Sequence, residues 1–212
     1  MIRKRCIYFL AIAAGLVLQA GTALAHPHVW VKVATEIVYD PDGSIKGIRH
    51  AWTFDDMFST YALQGLHTKT AGVYTREELA ALAQTNIKSL KDADYFTFPE
   101  ADGKEQKLTE PMDYYFEYKD EALVLHFTLP FEAPLKTTRL TLEIFDPDYF
   151  IAFSLQEEAP IRLVGAPIAC AMTIHSPTDE ESTEKLRGEN TSGDASNSFG
   201  AAFADKIRVD CP

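Results

Sequence analysis

VWVKVATEIVYDPDGSIKGIRHAWTF, residues 29–54, reads as two strands joined by a tight turn. Val29, Val31 and Val33 point one way and Trp30 and Lys32 the other, the period of two that a half-buried strand requires, and the pattern runs on to Tyr39. Asp40-Pro41-Asp42-Gly43 then supplies turn chemistry, and Ile45 to Phe54 returns along the first strand as a hairpin.

Working outward, the same alternation predicts strands at Tyr95 to Phe98, Asp113 to Tyr118, Ala122 to Leu129, Arg139 to Phe145, Tyr149 to Ser154, Ala169 to Ile174 and Lys206 to Cys211. Short strands separated by Asp, Pro and Gly turns predict a mainly β (α+β) fold, an antiparallel β-sandwich or partial barrel. One region departs from period two. Asp56 to Leu66 and Thr75 to Leu90 have helical spacing, and Thr75 with Glu78 forms a capping box, so a helical hairpin at residues 56–90 is inserted between strands.

The connection inside that hairpin, His67 to Glu78, has the length of an EF-hand loop. Gly72 occupies the sharp-turn position and Glu78 the twelfth. Its ligand positions one, three and five are His67, Lys69 and Ala71 where carboxylates are needed, and Lys69 repels a cation. The loop reads as a degenerate EF-hand that keeps the turn and binds no calcium.

The chain opens with Arg3, Lys4 and Arg5, an apolar run from Ile7 to Ala20, and Ala23-Leu24-Ala25, the parts of a cleaved secretory signal at residues 1–25. A membrane anchor is the competing reading, disfavoured by the short apolar run and the adjoining cleavage site. Cleavage would leave residues 26–212 as a single exported domain with no stable membrane insertion, beginning at His26. The formal charge of −11 grows more negative once the three basic residues leave, which disfavours nucleic acid and anionic membranes as partners and admits cations.

Cys6 leaves with the leader, and Cys170 and Cys211 are an even pair in an oxidising compartment, most simply a disulfide. Such a bridge would close a loop of about 42 residues, worth roughly 4 kcal/mol in the chain-entropy model. A metal-binding cysteine pair is the weaker alternative, since neither has a second ligand at short spacing. Within the loop, Thr178 to Asn197 has almost no large apolar residue and reads as a mobile polar surface loop.

Candidate chemistry centres on His26-Pro27-His28. Imidazole suits nickel, cobalt, copper and zinc. Pro27 has no amide proton, which blocks the square-planar chelate that a histidine at the third position otherwise forms. The remaining geometry is a histidine brace, in which the free amine and ring of His26 hold the metal and His28 or His126 completes it. His126 lies opposite Leu123, Leu125, Phe127 and Leu129 by strand parity and points away from the core, whereas His50 shares a face with Trp52 and Phe54 and is a weaker candidate. Asp55, Asp146 and Asp148 are weaker oxygen candidates. Asp55 reads first as a helix cap and Asp146-Pro147-Asp148 first as a turn, and the histidine pair reads equally as a polar chain end. No nucleophile elbow, zinc-protease run, phosphate-cradling loop or reactive cysteine is present, so catalysis reduces to oxidative chemistry at a braced copper and a non-enzyme is expected.

Several landmarks together carry a resemblance: His26-Pro27-His28-Val29 after an alanine, Trp52-Thr53-Phe54-Asp55, the EF-hand-like insert, Asp94-Tyr95-Phe96-Thr97, Leu125-His126-Phe127-Thr128-Leu129-Pro130, Asp146-Pro147-Asp148-Tyr149, and Phe203-Ala204-Asp205-Lys206 before Cys211. The chain resembles a bacterial exported family of unknown function labelled an uncharacterised ABC-type transport system, periplasmic component. Genes of that family often stand beside nickel or cobalt permeases. The resemblance implies a periplasmic transition-metal-binding accessory protein working with an inner-membrane metal permease or another transport component. Many members carry an acidic insert loop, from which this chain departs at His67, Lys69 and Ala71. A metal-independent periplasmic interaction module whose helices carry the contact is the alternative, and a histidine-brace copper protein the second.

Overall fold

The computed structural model describes residues 27–188 and 198–212. Strand β1 (Val29–Tyr39) and strand β2 (Ile45–Phe54) form the expected hairpin, with Val31 opposite Phe54, Val33 opposite Trp52 and Ile37 opposite Ile48. The odd-numbered residues of β1 turn inward, so Val31, Val33 and Ile37 are buried while Trp30 is half exposed. Helix α1 (Asp56–Ala62) and helix α2 (Arg76–Leu90) follow, then a turn of 3-10 helix at Lys91–Phe96.

The chain continues through β3 (Thr97–Ala101), β4 (Lys104–Glu105), β5 (Met112–Lys119), β6 (Ala122–Leu135), β7 (Arg139–Ile144), β8 (Ile151–Leu155), β9 (Ile161–Val164) and β10 (Ala171–His175). Helix α3 (Asp179–Gly188), a 3-10 turn at Gly200–Phe203 and β11 (Lys206–Asp210) complete it. The strands form two sheets, β5-β6-β2-β1-β8 with β9 also on β1, and β10-β11-β7-β3-β4. Among the described residues no barrel closes, so the sandwich-like form of the expectation holds, but the larger sheet is mixed rather than antiparallel, because β8 and β9 run parallel to β1.

Apolar residues of both inner faces meet in one core: Trp52, Leu125, Phe127 and Leu129 from the larger sheet, Leu140, Leu142, Ile207 and Val209 from the smaller. Trp52 stands edge-on to Phe127, ring centroids 4.8 Å apart, a favoured aromatic geometry. At Gly47 a Cβ would lie 2.6 Å from the Leu129 carbonyl oxygen, and there the β2–β6 register shifts. Only glycine permits that approach.

The helices follow their sequence signals. The Thr75 hydroxyl accepts from the Glu78 N–H and the Glu78 carboxylate accepts from the Thr75 N–H, closing the capping box. Leu79, Ala83 and Ile87, four residues apart, form the buried stripe of α2. No helix among the described residues is long and apolar enough to cross a membrane.

Three further features differ from expectation. Strand β3 starts at Thr97, because Asp94, Tyr95 and Phe96 adopt left-handed backbone that buries the Tyr95 and Phe96 rings. Strand β9 has only four residues, too few for its alternation to stand out in the sequence. The polar segment from Thr178 is helical as far as Gly188, capped by reciprocal hydrogen bonds between Thr178 and Glu181, and Ser182 is buried against Ala202. Thr-x-x-Glu is a capping box that the polar composition masked. Residues 189–197 lie outside the described residues.

The sulfurs of Cys170 and Cys211 are bonded, which ties the end of β11 to the segment leading into β10.

Candidate functional site

His26 lies outside the described residues, and His28 stands at the head of β1. The His28 N–H donates to the Phe150 carbonyl at 2.8 Å, its ring lies 4.7 Å from the Phe150 ring, and Val29 pairs in register with Ile151 of β8. On the other side of β1, the Trp30 N–H donates to Asp55 Oδ2 at 2.8 Å, and the Asp55 N–H donates back to the Trp30 carbonyl at 3.0 Å. The first residues of β1 are therefore clamped on both flanks, and the His28 side chain is exposed there.

The clamps are themselves built. Asp55 Oδ1 accepts from the Phe58 N–H, so one carboxylate caps α1 and anchors β1 at once. Asp146 is buried, and its two oxygens accept from the backbone N–H groups of Asp148 and Ile151. Gly200 presses on the same turn from behind, its own N–H bonding the Pro147 carbonyl. Asp55 and Asp146 thus spend their carboxylates on backbone donors, while Asp148, two residues before Phe150, is exposed.

His126 occupies a different place. It lies opposite Ala51 of β2, which lies opposite Ala34 of β1, six residues along the strand from His28. At about 3.3 Å per residue and about 4.8 Å per strand, the two histidines are some 20 Å apart. They do not share one ion. His126 stacks on Tyr115 with centroids 4.6 Å apart, Nε2 stands 3.1 Å from Glu117 Oε2, and the Arg76 guanidinium lies 3.5 Å over the Tyr115 ring. Burial, aided by Arg76, depresses the His126 pKa below the ordinary histidine value although Glu117 opposes the shift.

His50 is 1% exposed, and both ring nitrogens are engaged, Nδ1 with Thr35 Oγ1 at 2.9 Å and Nε2 with Thr97 Oγ1 at 3.3 Å. Because the Thr97 hydroxyl donates to the Tyr95 carbonyl, its oxygen accepts from His50 Nε2–H, and Nδ1 accepts from Thr35. Burial pushes its pKa down to about 3. This neutral histidine links the two sheets and has no nitrogen left for a metal.

In the insert loop, Glu78 offers one oxygen to the Thr75 N–H and the other to the Lys69 N–H at 2.9 Å, and these bonds hold its pKa below the usual carboxylate range. Both oxygens that a calcium ion would take from the twelfth loop position are turned to backbone donors. Among the described residues no group of three or more His, Cys, Asp or Glu side chains is arranged to hold a metal ion.

A separate feature was not visible in the sequence. On the outer face of the larger sheet, a cavity of about 380 Å³ lies over Ala34 and Ala51, bordered by Arg49, Arg162, Gln156 and His126. The alternation of β1, β2 and β6 sets Ala34, Arg49, Ala51 and His126 on outward faces, but only the registers of β6 and β9 on the hairpin bring them together with one another and with Arg162.

A family model described as a protein of unknown function, DUF1007, matches residues 11–211, and the chain belongs to that family. A search of curated proteins finds no match to the chain.

Proposed function

We propose that this chain is a periplasmic accessory protein that binds a transition metal at its N-terminal end, in the service of a nickel- or cobalt-type transport system. The observation that carries the reading is the clamped head of β1. His28 stands on backbone held by Phe150 on one flank and by Asp55, through Trp30, on the other, so an imidazole there is presented from a rigid frame.

The donor chemistry fits a transition metal better than magnesium or calcium. His28 supplies imidazole nitrogen, His26 with a free amine would supply two more nitrogens, and exposed Asp148, two residues before Phe150 in the chain, is the oxygen candidate. Asp55 and Asp146 act as positioning residues, since their oxygens are spent on backbone N–H groups. His126 lies too far away to belong to this site. The Cys170–Cys211 bond supports an oxidising compartment, and with it export.

Calorimetric titration of protein beginning at His26 with nickel, cobalt, copper, zinc and calcium tests the proposal. One-to-one binding of a transition metal, weakened at least tenfold when an extra residue blocks the His26 amine, is expected. Equal binding by the blocked protein contradicts an amine ligand, and no binding by any form contradicts the proposal.

A second reading, a metal-independent interaction module, is favoured by Met57 and Tyr61, 71% and 72% exposed on α1. Large apolar side chains so exposed on one short helix suit contact with a partner such as a permease. Capture of a permease by metal-stripped protein, abolished by Met57→Ser with Tyr61→Ser, would support it.

A further inference from the structure

The cavity over Ala34 and Ala51 lies where a row of two alanines stands between rows that carry longer side chains. Across β1 and β2 the rows on either side pair Lys32 with Thr53 and Glu36 with Arg49, whereas the row between them pairs Ala34 with Ala51. A wall rises on one side because the chain leaves β1 after Leu155 and rejoins it at Ile161, so Gln156 to Pro160 stand beside the gap. Gln156 and Pro160 pin that excursion, the Gln156 N–H to the Val33 carbonyl at 3.0 Å and the Pro160 carbonyl to the Thr35 N–H at 2.7 Å.

Charge is arranged around the hollow. Arg49 and Arg162 converge on the two oxygens of Glu36, Arg49 at 2.6 Å, and the Glu36 side chain is only 16% exposed. Each guanidinium uses one nitrogen on Glu36 and keeps further N–H donors in its fixed plane. At that end of the hollow two cations face one anion, while Glu117 lies beyond His126 and Glu157 and Glu158 belong to the excursion, and the shared carboxylate orients both forks before anything binds. Opposite them, His126 engages Glu117 through Nε2; with the proton on that nitrogen, Nδ1 is an acceptor suited to a hydroxyl.

We infer that this hollow binds a small hydroxycarboxylate, its carboxylate on Arg49 and Arg162, its short carbon chain over the methyl groups of Ala34 and Ala51, and its hydroxyl on His126. The volume lies within the range of small-ligand sites. The site is some 20 Å from His28 and is independent of metal binding there.

The test is calorimetry with L-malate and citrate on protein passed over a chelating resin, so that no metal complex contributes. Saturable one-to-one binding is expected for at least one acid, weakened at least tenfold by Arg162→Gln and by Ala51→Leu, and unchanged in His28→Ala. Ala51→Leu fills the floor and leaves every charge in place, and leucine suits an outward strand position. Absence of binding overturns the inference, as does binding that survives both substitutions, is lost in His28→Ala, or is matched by inorganic phosphate.

Discussion

Acidification should weaken this fold through His50, and the size of the effect follows from the ring's surroundings. Its ordinary pKa of 6.5 falls to about 3 in the folded protein because a fully buried imidazolium would lose its hydration. The unfolded chain therefore binds a proton that the native state refuses between these two values, and stability rises with pH across that window. Above pH 6.5 the group contributes no pH dependence. As pH falls below 6.5 the native state loses about 1.4 kcal/mol per pH unit, hence about 2 kcal/mol by pH 5. Because the ring is 1% exposed, no discount for solvent screening applies. Urea unfolding of the wild type and of His50→Gln at pH 7.5 and pH 5 measures this. The variant is less stable at pH 7.5, but its loss on going to pH 5 should be smaller than the wild type's by about 2 kcal/mol. A parallel NMR titration should show no protonation of the His50 ring between pH 7 and 5. Equal losses in the two proteins, or a ring that titrates near 6.5, would contradict a His50 held neutral by burial.

Gly200→Ala should cost about 1–3 kcal/mol in urea unfolding, since its Cβ would fall 1.8 Å from the Asp146 carbonyl oxygen and force that turn to move. Thr75→Ala removes one half of the capping box and should lower stability by about 1 kcal/mol in thermal melts, with no effect on metal titration. Replacing Cys170 and Cys211 by serine should cost about 2–4 kcal/mol, read as the difference in unfolding free energy between oxidised wild type and variant. Millimolar calcium should leave the melting temperature unchanged, because Glu78 already gives both oxygens to Lys69 and Thr75 N–H groups; a rise of several degrees would contradict that view of the loop.

Local signals were legible where one residue type does one thing. The turn after Tyr39, the alternation of β1 and β6, the Thr75 capping box and the cysteine pair all follow from chemistry within a few residues or from the only available partner. Parity also separated inward His50 from outward His126. What parity could not convey was position along the sheet. The distance between His28 and His126 depends on the register of β6 on β2 and of β2 on β1, and no local pattern specifies how two non-adjacent strands slide past one another. The dual role of Asp55 was half legible, the cap being local and the clamp on Trp30 a contact across 25 residues. The Arg49, Glu36 and Arg162 cluster was hidden for the same reason, its members spread over three strands and 126 positions.

The proposed function places a transition metal at the head of β1. Nickel titration of protein beginning at His26 should be compared with His28→Ala, Asp148→Asn and His126→Ala proteins of the same N-terminus. His28→Ala should weaken binding at least tenfold, and His126→Ala, about 20 Å away, should leave it unchanged. Unchanged affinity in His28→Ala, or loss of binding in His126→Ala, would contradict that placement.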